Sequence, residues 1–139
     1  MTPRARLEVA RALVAARAPA EVDLGSWVGD CGTVACAVGW ACRSPTIQAE
    51  GLTLDETGSP SFQGQGAFGA VAAFFGLSVI EAWAVFSPLP DDEVIWLWDD
   101  DDEARARTLE ALARLRSDED GGGDRATVLA RMDRALARA

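Results

Sequence analysis

Ala67-Phe68-Gly69-Ala70-Val71-Ala72-Ala73-Phe74-Phe75 and Val79-Ile80-Glu81-Ala82-Trp83-Ala84-Val85-Phe86 flank the tripeptide Gly76-Leu77-Ser78. The first run is apolar almost all round, the pattern of a helix covered on every side. Gly76 with Leu77 ends it, because glycine takes the left-handed cap that a side chain resists. Ser78, with Glu81 three residues on, forms a capping box that opens the second helix. Two packed core helices therefore anchor a mainly α fold.

Helix, short Gly-containing turn, helix is also the outline of a DNA-reading helix-turn-helix. The second helix would have to do the reading. Its sequence, Val-Ile-Glu-Ala-Trp-Ala-Val-Phe, has no side chain suited to base edges or phosphates. Packing is the better account.

Upstream, Thr57-Gly58-Ser59-Pro60 separates two short extended runs, giving one small β-hairpin over about residues 52–62. Pro45 and Gly51 mark turns. Pro3 suits a helix first turn, and Leu7, Ala10, Leu13 and Val14 share a face, predicting a first helix to about Arg17. Thr33 is the expected N-cap of a short helix over 34–42. Downstream, Pro88 and Pro90 lead into an acidic part. Residues 1–90 carry a net charge of −3 and residues 91–139 carry −6. A helix is expected to about Arg116, with Leu109, Leu112 and Leu115 inward and the i,i+4 pairs Glu103–Arg107 and Glu110–Arg114 outward. Asp124 is expected to cap a last helix whose stripe is Val128, Met132, Ala135, Leu136 and Ala139. The 139 residues form one domain, a helical core over 1–90 extended by an acidic helical part over 91–139.

Composition excludes several chemistries. The chain has no His, Lys, Tyr or Asn. Cys–His and Ser–His dyads, Schiff-base lysines, P-loop lysines and imidazole zinc sites are therefore ruled out. The net charge of −9 opposes direct binding to nucleic acid or to anionic membranes and favours a basic protein partner. The longest apolar run is shorter than the ~20 residues of a membrane span. Arginines at 4, 6, 11 and 17 interrupt any secretory h-region, and an amphipathic helix explains them better than a transit peptide does. A cytoplasmic location with reduced thiols is the expectation.

The most distinctive segment is Cys31-Gly32-Thr33-Val34-Ala35-Cys36-Ala37-Val38-Gly39-Trp40-Ala41. With Gly51-Leu52-Thr53-Leu54, Phe74-Phe75-Gly76-Leu77 and Glu81-Ala82-Trp83-Ala84-Val85-Phe86, it resembles a family of small uncharacterised bacterial and phage proteins. Those proteins share a C-G-T-x-x-C-x-x-G-W-A pattern. The resemblance covers roughly residues 22–88 and implies a phage or mobile-element setting but no named activity. Residues 91–123 lie beyond it.

Cys31 and Cys36 are candidates for a thiol redox pair or sensor, because a helix first turn favours a thiolate. Their spacing is not C-x-x-C, and an apolar setting raises a thiol pKa, so packing is the competing account. Metal is not expected. Cys31, Cys36 and Cys42 with Asp30 are poorly spaced for zinc, and a helix would turn Cys36 and Cys42 apart. Asp99, Asp101, Glu103 and Glu110 match calcium-loop spacing, but Ala104 stands where the loop needs glycine. Aspartates at a helix start are explained by its dipole. No two acids are singled out as a glycosidase pair.

Five tryptophans are many for this length. Trp27, Trp40 and Trp83 are expected in the core. Trp96 and Trp98 are either core residues or an aromatic patch ringed by acids. The leading reading is a non-catalytic interaction module, an inhibitor or adaptor without cofactor. Its face is Trp96, Trp98, Asp99, Asp100, Asp101 and Asp102, and it meets a basic protein, in one version as a nucleic-acid mimic. Thiol redox chemistry at Cys31 and Cys36 is the alternative. A structural or assembly role is the third, and a homo-oligomer is compatible with each.

Overall fold

The computed structural model describes residues 1–25 and 36–137. Among them, the helices are α1 (Pro3–Ala15), α2 (Ala37–Cys42), α3 (Pro45–Ala49), α4 (Ala67–Phe75), α5 (Val79–Phe86), α6 (Asp91–Leu97), α7 (Asp102–Leu115) and α8 (Asp124–Ala137). The strands are β1 (Thr53–Leu54), β2 (Pro60–Phe62) and β3 (Gln65–Gly66), and Pro19–Glu21 makes a 3-10 turn. The protein is mainly α with one small antiparallel sheet.

The two apolar helices form with the boundaries their sequence dictates. Gly76 ends α4 at φ +68°, and the Gly76 and Leu77 N–H groups both turn back to the Ala72 carbonyl. A Cβ on Gly76 would stand 2.8 Å from Pro3 Cβ, so the glycine also admits the start of α1. Ser78 Oγ accepts from Glu81 N at 3.1 Å, and Glu81 Oε1 accepts from Ser78 N at 2.9 Å. The chain bends by 100° between α4 and α5. Every residue of α5 is buried or half-buried, leaving no face free to enter a DNA groove. Among the described residues, no single helix is long and apolar enough to cross a membrane; α4 and α5 reach that apolarity only as a bent pair.

The expected hairpin pairs Thr53 with Ser61 and Leu54 with Pro60. It continues into a third strand, pairing Ser61 with Gly66 and Phe62 with Gln65. Gln63 and Gly64 both have positive φ, the backbone of a tight two-residue hairpin turn. Phe62 delivers the sheet to the core, meeting Phe74 edge-on at 5.1 Å.

One hydrophobic cluster joins Leu7, Val14, Phe74 and Phe86 to Leu112, Leu115, Val128 and Met132. The acidic C-terminal part thus completes the core begun by residues 1–90. Polar ties follow the same route between α1 and α8. Arg11 grips Asp133 with two bonds of 2.7 and 3.1 Å, and Arg125 donates to Ala15 O at 2.6 Å.

Several local expectations are corrected. α1 stops at Ala15, before Arg17. α2 starts at Ala37 with Cys36 as its N-cap, and Thr33 lies outside the described residues. Pro45 opens α3 instead of only breaking the chain. Asp124 is the first residue of α8, and its carboxylate accepts the Leu24 N–H at 2.9 Å. Leu109 is 45% exposed, because the inward stripe of α7 runs through Ala104, Thr108, Ala111, Leu112 and Leu115. Thr108 is buried there because its hydroxyl donates to Ala104 O at 2.9 Å. Trp40 and Trp83 are half-buried rather than fully enclosed, Trp83 stacking on Phe68 at 4.1 Å.

From sequence, Arg116 reads only as a helix end. Its side chain is 6% exposed and uses all five N–H groups. Nε donates to Ala84 O at 2.8 Å. Nη1 donates to Leu89 O at 2.7 Å and Asp91 Oδ1 at 3.0 Å. Nη2 donates to Trp83 O at 3.3 Å and Ser87 O at 3.2 Å. Ala84 O, open at the end of α5, is therefore capped by a side chain from beyond α7, which also adds to Trp83 O, already closed by Ser87 N at 3.1 Å. Arg131 adds a bond to Ser87 O at 3.2 Å, and Arg134 binds Asp120 bidentately at 2.7 Å.

Arg116→Ala should cost about 3 kcal/mol or more in urea unfolding, because Ala84 O and Leu89 O lose their donor together and the Asp91 pair is broken. Arg114→Ala, which breaks a more exposed pair with Glu81, should cost about 1 kcal/mol. A second expectation concerns acid. The Arg134 guanidinium holds the Asp120 carboxyl below its usual range, and Arg11 does the same for Asp133. Folded values below unfolded ones mean stability present above the unfolded pKa of about 4 and lost as pH falls through the folded values. Urea midpoints should therefore drop below about pH 4, and Asp120→Asn should flatten that drop.

Candidate functional site

Asp91, Asp92 and Glu93 fill the first turn of α6, where acids suit the helix dipole. Asp91 is tied down by Arg116. Val94 points inward and is fully buried. That choice of inner face sends Trp96 outward at 78% exposure, with Leu97 at 43%. Trp96 lies four residues after Asp92 and three after Glu93, so helical spacing sets the indole beside two exposed carboxylates.

Trp98 does not join this face. It follows Trp96 by two residues, about 200° around a helix, and is half-buried against the core. Its indole Nε1 is buried without a hydrogen-bond partner. The four aspartates separate as well. Asp101 Oδ1 accepts from Ala104 N at 2.7 Å as the N-cap of α7, and Asp99 pairs with Arg105 at 3.3 Å. Asp100 and Asp102 are exposed. Sequence reading missed Leu97 and Leu109 as exposed apolar residues. The inward register of Val94 and Thr108 reveals both, and only the fold shows that register. Residues 91–102 hold seven acids and no basic residue.

Among the described residues no group of three His, Cys, Asp or Glu side chains is arranged to hold a metal ion. Cys31, Trp27 and Asp30 lie outside the described residues. Cys36 is buried, and its Sγ accepts from Gly39 N at 3.3 Å. Burial pushes its thiol up to about 11, against the opposing pull of backbone N–H groups at the helix start. Burial also pushes Cys42 up to about 12. Desolvation outweighs the helix effect at Cys36, so the local physics favours packing over thiolate chemistry.

No protein-family model, curated protein or solved structure matches this chain.

In a Cys31→Ser variant, Cys36 and Cys42 should react with a thiol reagent at pH 8 at least about a hundredfold more slowly than in urea. Fast reaction of either in the folded protein would revive a thiol mechanism.

Proposed function

We propose that the protein is a non-catalytic interaction module whose α6 face docks a basic protein. The single observation that supports this most is Trp96, an exposed indole set among carboxylates. Covering such a side chain removes about 150–250 Å² from water, so an exposed one is a ready anchor. The surrounding acids choose the sign of the partner. Self-association through this face is disfavoured, because it would oppose two sets of seven acids across one interface. The refined face is Trp96 and Leu97 with Asp92, Glu93, Asp99, Asp100 and Asp102; Trp98, which is half-buried, and Asp101, the N-cap of α7, are left out of it.

The resemblance to small phage and bacterial proteins suits an inhibitor or adaptor that occupies a nucleic-acid-binding protein. A cytoplasmic setting accords with the unpaired Cys36 and Cys42.

Capture of a basic protein should fall at least about tenfold in Trp96→Ala. It should also fall, with a weaker salt dependence, in an Asp99→Asn, Asp100→Asn, Asp102→Asn variant that keeps the Asp101 cap. Quantitative co-purification across a salt series reads both effects. Capture unchanged by either variant removes α6 as the docking face.

A further inference from the structure

We propose that the α6 face selects arginine over lysine, with a guanidinium laid flat on the Trp96 indole and bridged to the carboxylates of Asp92 and Glu93. This rests on the reading of the face as a docking site for a basic protein and specifies the chemistry of that partner.

The protein already seats one of its own arginines between a ring and a carboxylate, and two more against an indole. Arg6 lies 4.6 Å from the Phe74 ring centroid while pairing with Glu50 at 3.3 Å. One guanidinium is thus held by an aromatic face and a carboxylate together. Arg17 and Arg43 lie 4.9 and 4.7 Å from the centroid of the Trp40 ring. Among the described residues, no such ring or cation contact covers Trp96. Arg105 pairs with Asp99 at the edge of the face at 3.3 Å and Arg107 with Glu103 at 3.1 Å, and neither is seated on Trp96 or paired with Asp92 or Glu93. The α6 face therefore has the ring and the carboxylates of an internal arginine seat but lacks the arginine.

The side chains suit a guanidinium better than an ammonium. A guanidinium is planar and weakly hydrated, so it can stack on an indole and still direct its edge N–H groups at carboxylates. An ammonium is a compact, strongly hydrated point charge that gains the Coulomb attraction but little of the stacking.

The test titrates full-length protein with a short arginine–serine repeat peptide and with its lysine–serine counterpart of equal length and charge. Wild type should bind the arginine peptide about three- to fivefold more tightly. Trp96→Ala should abolish the preference while leaving weak, salt-sensitive binding of both. Trp96→Phe should keep part of it. Asp92→Asn with Glu93→Gln should weaken both peptides and narrow the gap. Trp96 lies outside the core, and a thermal melt confirms that the variants fold. Equal affinity of wild type for the two peptides overturns the selectivity and leaves the docking reading standing. A preference that survives in Trp96→Ala also overturns it, because the arginine seat must then lie elsewhere. If neither peptide binds, the docking reading fails and the selectivity with it.

Discussion

Five hydrogen bonds from one buried guanidinium organise the C-terminal half of this protein. α5 is apolar apart from Glu81 and ends with no glycine to turn its last carbonyls back, Ser87 N–H closing only on Trp83 O. Those carbonyls lie in the interior, where an unmatched acceptor is costly. Arg116 satisfies Trp83 O, Ala84 O and Ser87 O together and reaches Leu89 O and Asp91 besides. A lysine could not replace it, having three donors and no planar fork. The same residue thus ends α5, shapes the connector and fixes the first residue of α6.

That constraint links the fold to the proposed function. α6 has seven residues, too few to be stable as an isolated helix. It is held by Val94 in the core and by Asp91 on Arg116. With both anchors set, Trp96 has one direction left, which is outward. The exposed indole is then a consequence of the buried arginine. The acids around it complement the helix dipoles of α6 and α7, and in the proposed docking they also set the charge of the partner.

What was legible in the sequence was local. The limits of α4 and α5, the glycine stop and the Ser78–Glu81 box depend on residues a few positions apart. The role of Arg116 was hidden because its acceptors lie 25 to 33 residues earlier in the chain. An arginine at a helix end ordinarily faces solvent. Leu109 misled for a related reason: Thr108 looks polar in sequence yet is buried by bonding its hydroxyl to the helix backbone. Trp96 and Trp98 could not be separated without knowing the helix. A strand would have set both on one side, whereas α6 turns them apart. The structure therefore separates the candidate residues, exposing Trp96 and half-burying Trp98, and the exposure of Leu97 and Leu109 emerged only from the packing.

The central claim is that α6 is fixed so that Trp96 faces solvent while Trp98 is held inward. The most direct measurement is the broadening of the tryptophan indole N–H signals by a neutral, soluble paramagnetic agent, with each signal assigned by substitution. The account predicts strong broadening at Trp96 and little at Trp98, whose Nε1 is buried. Protection at Trp96, or equal broadening of the two, would contradict it.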